Sequence, residues 1–564
     1  MLGKPKNTLK KQYEKAAESL GVLSPLTITP PKFEREMRLF GQNGGYAKCQ
    51  VTFYSGGQKY DINGRTATFL QDDASAGFSL PENNDKNLDS DLIAVHTDKS
   101  LEAPAGTFTV TMHDRPMRTG NQKGKRLAEI IMQNDLVCIS FGRSDSDGTQ
   151  NRNAFYAAGS PERSKNVENH FECVMVGIVG ARPTVNWTID GNGATVRQIT
   201  ITGFDFGKLL LNCQIYYFKD VPSEDIKAFA LKGWQYLKDG TFPMGTKQAL
   251  IQKTFDEIFR KITNWTVDAA GGGVPIGDLF GYVLRSTYGE IPVGTNFFSQ
   301  EQSIWSFIEA IAEKPWCELF VDTVPHVDSF LEAFKDGDGK FLEHASKPIE
   351  GGMPMLFLRE SPFSSSDWER LPLYYVSDDV VHNFAIGGEP TLYNLFYARP
   401  SAYLSMGSVM SAYLTGVPIF DSDSFKKYGL RMLISESKVF PYDGAGTAIK
   451  AVGKALTKKL YEWFASSPYF LSGTMTVQGH PSYRIGTRLR RCSLDQSFTG
   501  TSFSEFYIEG VSHEWSAYGE YKTTLRLTRG LYIADEAKRF PEPPDPDYDA
   551  IVSTVQISTI SEGA

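Results

Sequence analysis

The run FYIEGVSHEWSAYGEYKTTLRLTRG, residues 506–530, carries the clearest structural signal in the chain. Its apolar residues fall at alternate positions, which is the period of a half-buried strand. Phe506 and Trp515 lie in opposite phases of that alternation. The phase changes at Gly510, and a glycine at such a point predicts a bulge that re-aims the strand.

The second half of the run predicts a partner strand. Residues 516–519 are turn-like, and apolar Leu525 and Leu527 alternate with polar residues up to Arg529. We therefore expect a long twisted hairpin with one face rich in threonine and charge.

Composition favours strands and turns over helical bundles. The 564 residues are 13% aromatic, with 51 Gly and 29 Pro, and the formal net charge is −8. A chain of this length exceeds one ordinary domain, so we expect about three or four units. The mild negative charge argues against a protein that grips nucleic acid by its phosphates.

The cysteines predict buried single thiols. All six are far apart and none has C-x-x-C spacing, so zinc and thioredoxin-like sites are not expected. No apolar run of about 18 residues predicts a membrane span, and no apolar segment at the start predicts a secretion signal. We expect a soluble protein made in a cytoplasm, and take the Asn-Trp-Thr sequons at 186 and 264 as chance.

The first part of the chain predicts an arm and a β unit. Residues 1–30 form an N-terminal arm that is either disordered or laid on a neighbouring subunit. Residues 31–218 contain short strands, such as 107–112, with turn signals at Asn63-Gly64 and at 190–193. A polar Gly- and Ser-rich insertion follows Gly142, and the whole block predicts a β-barrel.

Residues 219–314 predict a helical or mixed domain. Ile251, Phe255, Ile258 and Ile262 form one apolar stripe, which is typical of a helix packed on a core. Ser299 with Gln302 predicts a capping box for a second helix, which Pro315 would stop.

Strand signals return after Pro315. Residues 315–372 and 471–532 predict a second, discontinuous barrel. Residues 373–470 predict an inserted mixed α/β domain with a C-terminal helix. Residues 533–564 form a Pro-rich linker and a tail, for which we expect strand addition to a neighbouring protein.

The sequence predicts no catalytic, cofactor or metal residues. The motifs G-x-S-x-G, H-E-x-x-H and Walker A are missing. The segments at 145–148 and 336–339 suggest either calcium loops or turns, and in the second Phe334 and Ala345 occupy positions that need carboxylates. We expect His480 and His513 to be packed rather than catalytic.

The hairpin also carries a family resemblance. Its V-x-H-x-W strand, the Tyr518-Gly519 turn and the run Y-x-T-T-L-x-L-x-R-G resemble the last hairpin of baseplate central hub proteins. These proteins belong to contractile phage tails and related injection systems. The segments APAGTFTVTMHDRP (103–116), ITGFDFGKLLLNCQIYY (201–217) and KPWCELFVD with MLFLRESPF (314–322, 355–363) match that family in order.

The resemblance implies a fold that is mainly β with α insertions (α+β), with two tube-type β-barrel domains. It implies a structural homotrimer whose six barrels match a sixfold tail tube above and carry a central spike below. Wedge or other baseplate proteins would surround it in the virion, with DNA only as passing cargo and no membrane contact. The structural and interaction candidates are Gly479, Pro481, Gly486, Gly510, His513, Trp515, Tyr518, Gly519, Thr523, Arg526, Thr528 and Arg529.

Within that resemblance, the polar face of the hairpin, with Thr523, Arg526 and Thr528, would lie on a channel wall or a subunit contact. The channel wall is expected to be neutral to negative, so that DNA does not adhere.

Two other functions compete with the hub. A tail-associated cell-wall hydrolase remains open as the alternative, because paired carboxylates cannot be recognised among 66 acidic residues without their spacing. A tube or tail-terminator protein fits less well, since such chains are usually single barrels.

Overall fold

A computed structural model gives the architecture of the chain. It describes residues 46–65, 91–117, 124–144, 172–189, 195–216, 247–267, 273–285, 301–325, 342–344, 349–388, 391–400, 418–437, 446–492, 503–517 and 519–544. The fold is mainly β with α insertions, as predicted, and most strands join one 14-stranded sheet. The segments 145–148 and 336–339, which suggest either turns or calcium loops, lie outside the described residues, as do Tyr518 and the C-terminal tail.

The first β unit is built from alternating strands. In one of them Phe108, Val110 and Met112 point inward, as their spacing predicts, and are almost fully buried. A short helix, α1 (Leu127–Ile130), closes one end of the core. The strands are β1 (Tyr46–Ser55), β2 (Gln58–Arg65), β3 (Leu92–Ser100), β4 (Thr107–His113), β5 (Leu136–Ser144), β6 (Glu172–Val179), β7 (Thr184–Ile189) and β8 (Thr195–Asp205).

The predicted turn at Asn63-Gly64 is wrong. Both residues lie inside β2 and pair with β1, where Asn63 faces Gln50. The turn between β1 and β2 is instead Gly56-Gly57, with φ values of 55° and 76°. Two glycines meet the positive-φ requirement there without strain, so the register is set by them.

The middle of the chain is mixed. Ile251, Phe255 and Ile258 are buried on one helical stripe, as predicted, and the Phe255 ring lies 5.1 Å from that of Phe280. The elements are α2 (Gly207–Asn212), β9 (Gln214–Tyr216), α3 (Lys247–Lys253), a π-helical turn (Thr254–Phe259), α4 (Arg260–Ile262), β10 (Thr266–Val267), β11 (Val274–Pro275), a 3-10 turn (Ile276–Leu279), β12 (Gly281–Leu284), β13 (Glu301–Ser303) and α5 (Ile304–Ala312).

The predicted capping box is displaced. The N-cap of α5 is Ser303, whose hydroxyl accepts a 3.0 Å hydrogen bond from the Ser306 amide. Ser299 lies outside the described residues, and Gln302 belongs to β13. A cap must directly precede the first helical turn, and that place is taken by Ser303.

The C-terminal half adds a second β unit and a small α/β unit. Its elements are β14 (Cys317–Pro325), β15 (Leu342–His344), β16 (Gly352–Glu360), α6 (Ser365–Arg370), β17 (Leu373–Ser377), a 3-10 turn (Asp378–Val380), β18 (Val381–Gly388), β19 (Leu395–Pro400), β20 (Ile419–Phe420), α7 (Ser422–Tyr428), β21 (Met432–Ser437), α8 (Gly446–Phe464), a 3-10 turn (Ser467–Tyr469), β22 (Leu471–Gln478), β23 (Thr487–Cys492), β24 (Phe503–Ser516), β25 (Tyr521–Tyr532) and a last 3-10 turn (Ile533–Lys538). Among the described helices none is long and apolar enough to cross a membrane.

Two sheets enclose the second core. The four-stranded sheet β14-β16-β12-β15 contributes Phe320 and Phe357, and the large sheet contributes Leu489, Ile508 and Leu527. β17 and β18, which lie inside the range expected for the inserted domain, also pair with strands of the large sheet. α8 covers one face of the small sheet β20-β19-β21, where the Tyr461 and Phe396 rings lie 5.2 Å apart.

Strand β24 joins the two β units. Along one edge its first half pairs with β23, up to Ile508 opposite Thr487. From Gly510 onward the same edge pairs with β3, ending at Ser516 opposite Ala94. β25 follows its other edge throughout. One continuous strand therefore belongs to both units.

We expect the burial of β24 to show in the free energy of unfolding. Ile508 is fully buried in the second core, so Ile508→Ala should cost about 2–5 kcal/mol. The matched control is Ile434→Ala on β21, where the side chain is 44% exposed and the expected cost is within about 0.5 kcal/mol. Urea denaturation followed by circular dichroism measures both, and equal costs would contradict the assignment of Ile508 to a packed core.

Candidate functional site

The bulge in β24 is the centre of the site. The pairing with β25 shifts between Ile508 and Gly510, as the change of phase predicts. A Cβ at Gly510 would lie 2.1 Å from Nε of Arg526, whose side chain crosses the strand at this point. Glu509 remains as the extra residue, and its carbonyl accepts a 2.9 Å hydrogen bond from the Leu101 amide. The bulge therefore lets inward-facing residues on both sides of it enter a core.

His513 lies in a buried hydrogen-bond network beyond the bulge. Its Nδ1 is 3.0 Å from the Thr523 hydroxyl and 3.0 Å from the Tyr521 hydroxyl. Thr523 also accepts a 3.1 Å hydrogen bond from the His480 amide. Trp515, fully buried in the first core, donates from Nε1 to the Ala47 carbonyl at 3.3 Å. β1 and the segment at His480 are thus both hydrogen-bonded to the hairpin that β24 and β25 form.

Burial decides the protonation state of His513. Desolvation, followed by the positive charges of Arg484 and Lys99, lowers the pKa of its imidazole well below the usual value. The ring is therefore neutral in the folded protein at neutral pH. The sequence-based expectation that His513 is packed agrees with this environment.

Ion pairs cross the junction between the two β units. Lys99 on β3 lies 2.6 Å from Oδ1 of Asp322 on β14, and both side chains are nearly inaccessible. Glu172 on β6 lies 2.8 Å from Arg484, which follows β22. Each pair takes one partner from each β unit. The alignment of the two units is therefore fixed by these ion pairs as well as by packing.

Asp205 adds a further buried carboxylate beside Lys99. Its Oδ1 accepts a 2.9 Å hydrogen bond from the Gly207 amide. Desolvation raises the pKa of Asp205 to about 6, although the Lys99 charge and backbone donors oppose the rise. Lys99, Asp322, Arg484 and His513 also line a small cavity between the units.

Two of the candidate residues, Gly479 and Pro481, occupy close contacts. A Cβ at Gly479 would lie 2.3 Å from the Tyr521 ring, and the Gly479 amide donates to the Tyr521 carbonyl at 2.7 Å. The Pro481 carbonyl accepts from Nη1 of Arg484 at 2.7 Å. This turn therefore holds the arginine that crosses to Glu172.

Gly486 serves a second buried arginine. Its φ is 69°, and its carbonyl accepts a 2.7 Å hydrogen bond from Nη2 of Arg359. The same guanidinium donates from Nε to Glu318 at 2.7 Å and from Nη2 to the Tyr507 hydroxyl at 2.9 Å. Arg359 is the arginine of the MLFLRESPF segment that the family resemblance singled out.

A third cluster fixes the end of the hairpin. Glu505 is buried, and Nη1 of Arg488 and Nε of Arg490 each lie 3.0 Å from its carboxylate. Burial alone would raise the pKa of Glu505, but the charges of Arg490, Arg488 and Arg539 hold it well below its usual range. Arg529, with a φ of 53°, places its guanidinium 3.4 Å from the Trp463 ring centre.

The outward side of the sheet carries hydroxyl groups, and we call it the hydroxyl face. Arg526 is exposed there, Thr528 is half-buried, and the exposed turn residue Gly519 lies at one end. Thr523 does not share this face, because it is in phase with the buried residues Leu525 and Leu527. The hydroxyl face comprises Thr109, Thr111, Thr200, Thr202, Thr474, Thr476, Ser512 and Thr524.

Sequence reasoning missed the buried charges. Lys99 and Asp322 are 223 residues apart, so no local pattern joins them. The available signal was a charged residue at an inward position of an apolar strand, as at Arg359 and Glu505. Within the described part of the chain, no three His, Cys, Asp or Glu side chains are arranged to bind a metal ion.

We expect His513→Gln to weaken the pH dependence of stability. Unfolded imidazole takes up a proton below about pH 6.5, whereas the buried ring stays neutral. Its contribution is thus complete above that pH and is lost as the pH falls toward the folded pKa. The free energy of unfolding, measured between about pH 7.5 and about pH 5.5, should fall less in the variant. An unchanged slope, with the exposed His96→Gln as control, would contradict this.

A second expectation concerns the junction. Lys99→Met leaves Asp322 buried without its cation and should cost about 3–5 kcal/mol. The double variant Lys99→Met/Asp322→Leu should recover much of that loss, because it removes both charges. Guanidinium denaturation compares the two. A double variant less stable than the single one would show that the pair is not coupled in this way.

Two of the solved structures to which this chain is similar are described as tail proteins. No protein-family model and no curated protein sequence matches this chain. A tail protein from Neisseria meningitidis MC58 is 12% identical, with a TM-score of 0.39, over 85% of this chain and 96% of that one. A 43 kDa tail protein of prophage MuSo2 from Shewanella oneidensis is 13% identical, with a TM-score of 0.38, over 87% and 100%.

A third match is an E. coli component of the type VI secretion system. Its description notes structural similarity to T4 bacteriophage tail proteins; it is 8% identical, with a TM-score of 0.32, over 80% of this chain and 76% of that one. The structures that this chain resembles are phage tail proteins and a secretion-system component described as similar to them.

Proposed function

We propose that this chain is a structural baseplate hub of a contractile tail or related injection system. Three copies form a ring that joins a sixfold tail tube to a threefold central spike. The observation that carries the proposal is the pair of β cores in one chain, joined through β24. Three such chains present six β units around one axis, which suits a sixfold partner on one side and a threefold partner on the other.

The hydroxyl face suits the wall of a channel. Its threonines line up across strands, with the Thr476 and Thr524 hydroxyls 3.1 Å apart. On the same side Arg526 is paired with Asp98, whose carboxylate lies 3.4 Å from the guanidinium. A wall of hydroxyls and paired charges offers few free cations to phosphate, so DNA would pass without being held.

The buried ion pairs suit a structural protein whose two β units must keep a fixed relative orientation. A ring that docks on a tube needs its two β units at one fixed angle. Lys99 with Asp322, and Glu172 with Arg484, disfavour other arrangements, because any shift would leave a buried charge without its partner. In these pairs the carboxylates are held by cations, which favours a structural role over acid–base chemistry.

The proposed partners follow from the same arrangement. The tail tube protein would contact one rim of the ring and the spike the other, with wedge or other baseplate proteins outside. The site of action is the virion tail baseplate or its secretion-system counterpart. DNA or another cargo would meet the protein only in passing through the channel.

We expect the purified full-length chain to form trimers. Mass photometry across a concentration series should show a species of about three times 62.8 kDa. Cryo-electron microscopy of that species should show six β units in a ring. A stable monomer, or a closed hexamer alone, would contradict the proposal. Release of soluble fragments from purified cell wall would instead support the hydrolase alternative.

A further inference from the structure

A lysine amine and an aspartate carboxyl group meet in the buried junction between the two β units. Nζ of Lys99 lies 2.6 Å from Oδ1 of Asp322, and the two side chains are 9% and 2% exposed. Lys99 belongs to β3 and Asp322 to β14, so each side chain extends from a hydrogen-bonded strand. Lysines are almost never held so far from water. An amine and a carboxyl group in contact are the two reactants of an amide bond.

Thr323 orients both reactants. Its amide donates a 2.7 Å hydrogen bond to Oδ1 of Asp322, which polarises that carbonyl. Its hydroxyl accepts from Nζ of Lys99 at 3.2 Å and from the Val176 amide at 3.0 Å. Oδ2 of Asp322 is buried and has no hydrogen-bond partner within the described part of the chain. Oδ1 is therefore held as an amide oxygen would be, and Oδ2 is the oxygen that can leave.

A second carboxyl group lies beside this pair. A Cβ at Gly106 would lie 2.8 Å from Oδ2 of Asp205 and 2.9 Å from Cγ of Lys99, so the two side chains approach the same point. Burial raises the pKa of Asp205 to about 6. A carboxyl group of this kind accepts and releases a proton readily near neutral pH. Asp205 is therefore placed to carry a proton between the amine and the leaving oxygen.

We propose that Lys99 and Asp322 condense to an amide that joins β3 to β14 covalently. Nζ forms a bond to Cγ of Asp322, and the bond from Cγ to Oδ2 breaks. The ammonium group supplies both protons that Oδ2 takes away as water, and its third proton stays on the amide nitrogen. Neither group is oxidised or reduced, so the reaction needs no further reactant. The bond forms within one copy, and the inference does not rest on the ring of the proposed function.

The surroundings favour condensation over hydrolysis. Lys99 and Asp322 line a small cavity with about the volume of one water molecule, and its other walls include Val174, Ile485 and Val511. These apolar side chains restrict access of water to the bond. Condensation also removes two charges that lost their hydration on burial. Because the fold already holds the reactants in contact, the reaction avoids the entropy cost of bringing them together.

Two other ion pairs between the β units provide comparisons. Nζ of Lys59 lies 2.7 Å from Oε1 of Glu350, but these side chains are 40% and 26% exposed, so water stabilises both charges. Arg484 with Glu172 is buried, but a guanidinium stays charged and does not attack a carboxyl group. Of these three pairs, only Lys99 with Asp322 combines an amine with burial.

The amide would fix the alignment of the two β units permanently. Separation of β3 from β14 would then require a covalent bond to break rather than an ion pair to open. The variants Lys99→Met and Lys99→Met/Asp322→Leu both lack the bond. Their stabilities relative to each other therefore still report on the ion pair alone.

The first test is the mass of the full-length chain under denaturing conditions. Wild type should be lighter by one water than the mass calculated from its sequence. Lys99→Arg keeps the positive charge but lacks the amine, so it should have its full calculated mass. The matched control, Lys59→Arg, should lose water as the wild type does. A wild type at its full mass, or equal water loss in Lys99→Arg, would overturn the proposal.

The second test locates the bond in wild type and does not depend on the folding of a variant. Trypsin does not cleave after a lysine whose amine is acylated. The digest should therefore contain one branched peptide that holds both Lys99 and Asp322, and fragmentation should place the link between them. Asp-Gly steps, such as the one at 190–191, also lose water by cyclising, and the branched peptide separates the two sources. A digest in which both residues occur only in unlinked peptides would reject the bond.

A third measurement concerns Asp205. Asp205→Asn keeps an oxygen for the 2.9 Å hydrogen bond from the Gly207 amide but cannot carry a proton. Sampled by mass after cell-free synthesis, this variant should lose water on the order of 100-fold more slowly than wild type. Its melting temperature, followed by circular dichroism, should be no lower than that of wild type. Equal rates, or a slow rate explained by a lower melting temperature, would exclude Asp205 from the reaction.

Discussion

A strand that serves two cores must change the direction in which its side chains point. In β24 this change takes one extra residue at Glu509, next to a glycine that leaves room for the Arg526 side chain. On one side of the bulge Ile508 enters the second core, and on the other Trp515 enters the first. Without the bulge, the strict alternation of a strand would expose one of these sets to solvent. Both β units therefore depend on the geometry at this point.

The buried charges add specificity rather than large stability. An ion pair such as Lys99 with Asp322 gains little over a well-packed apolar pair, since both groups lose their hydration. Its effect is to raise the free energy of other alignments of the two β units, in which a buried charge would lose its partner. The arginines Arg359, Arg484 and Arg488 act in the same sense, because each donates to backbone carbonyls as well as to a carboxylate. A guanidinium held on several sides permits very little sliding between sheets.

Local features of this fold could be predicted from sequence, and long-range ones could not. The hairpin, its bulge and the stripe of Ile251 and Phe255 follow from periodicity, which depends only on neighbouring residues. The prediction of a turn at Asn63-Gly64 is wrong because an Asn-Gly pair is also tolerated inside a strand. The turn forms at Gly56-Gly57, where both residues have positive φ. The alternation of the strand places Thr523 in phase with the buried residues Leu525 and Leu527. Its polar side chain nevertheless led to the prediction of an outward position. The partners of Lys99 and Arg484 needed the fold itself, since their spacing in the chain exceeds 200 residues.

The pairing of β24 with β3 has a consequence for biosynthesis. Residues near position 95 pair early with β4 along one edge, but their other edge gains its neighbour only when residues near position 515 have left the ribosome. The N-terminal unit therefore spends most of translation with an incomplete sheet and an uncovered core, a state that is prone to aggregation. A nascent chain that stops before Phe503 can complete neither unit, so truncated products would be recognised as unfolded rather than compete for places in an assembly. The late synthesis of β24 thus acts as a check on the length of the chain.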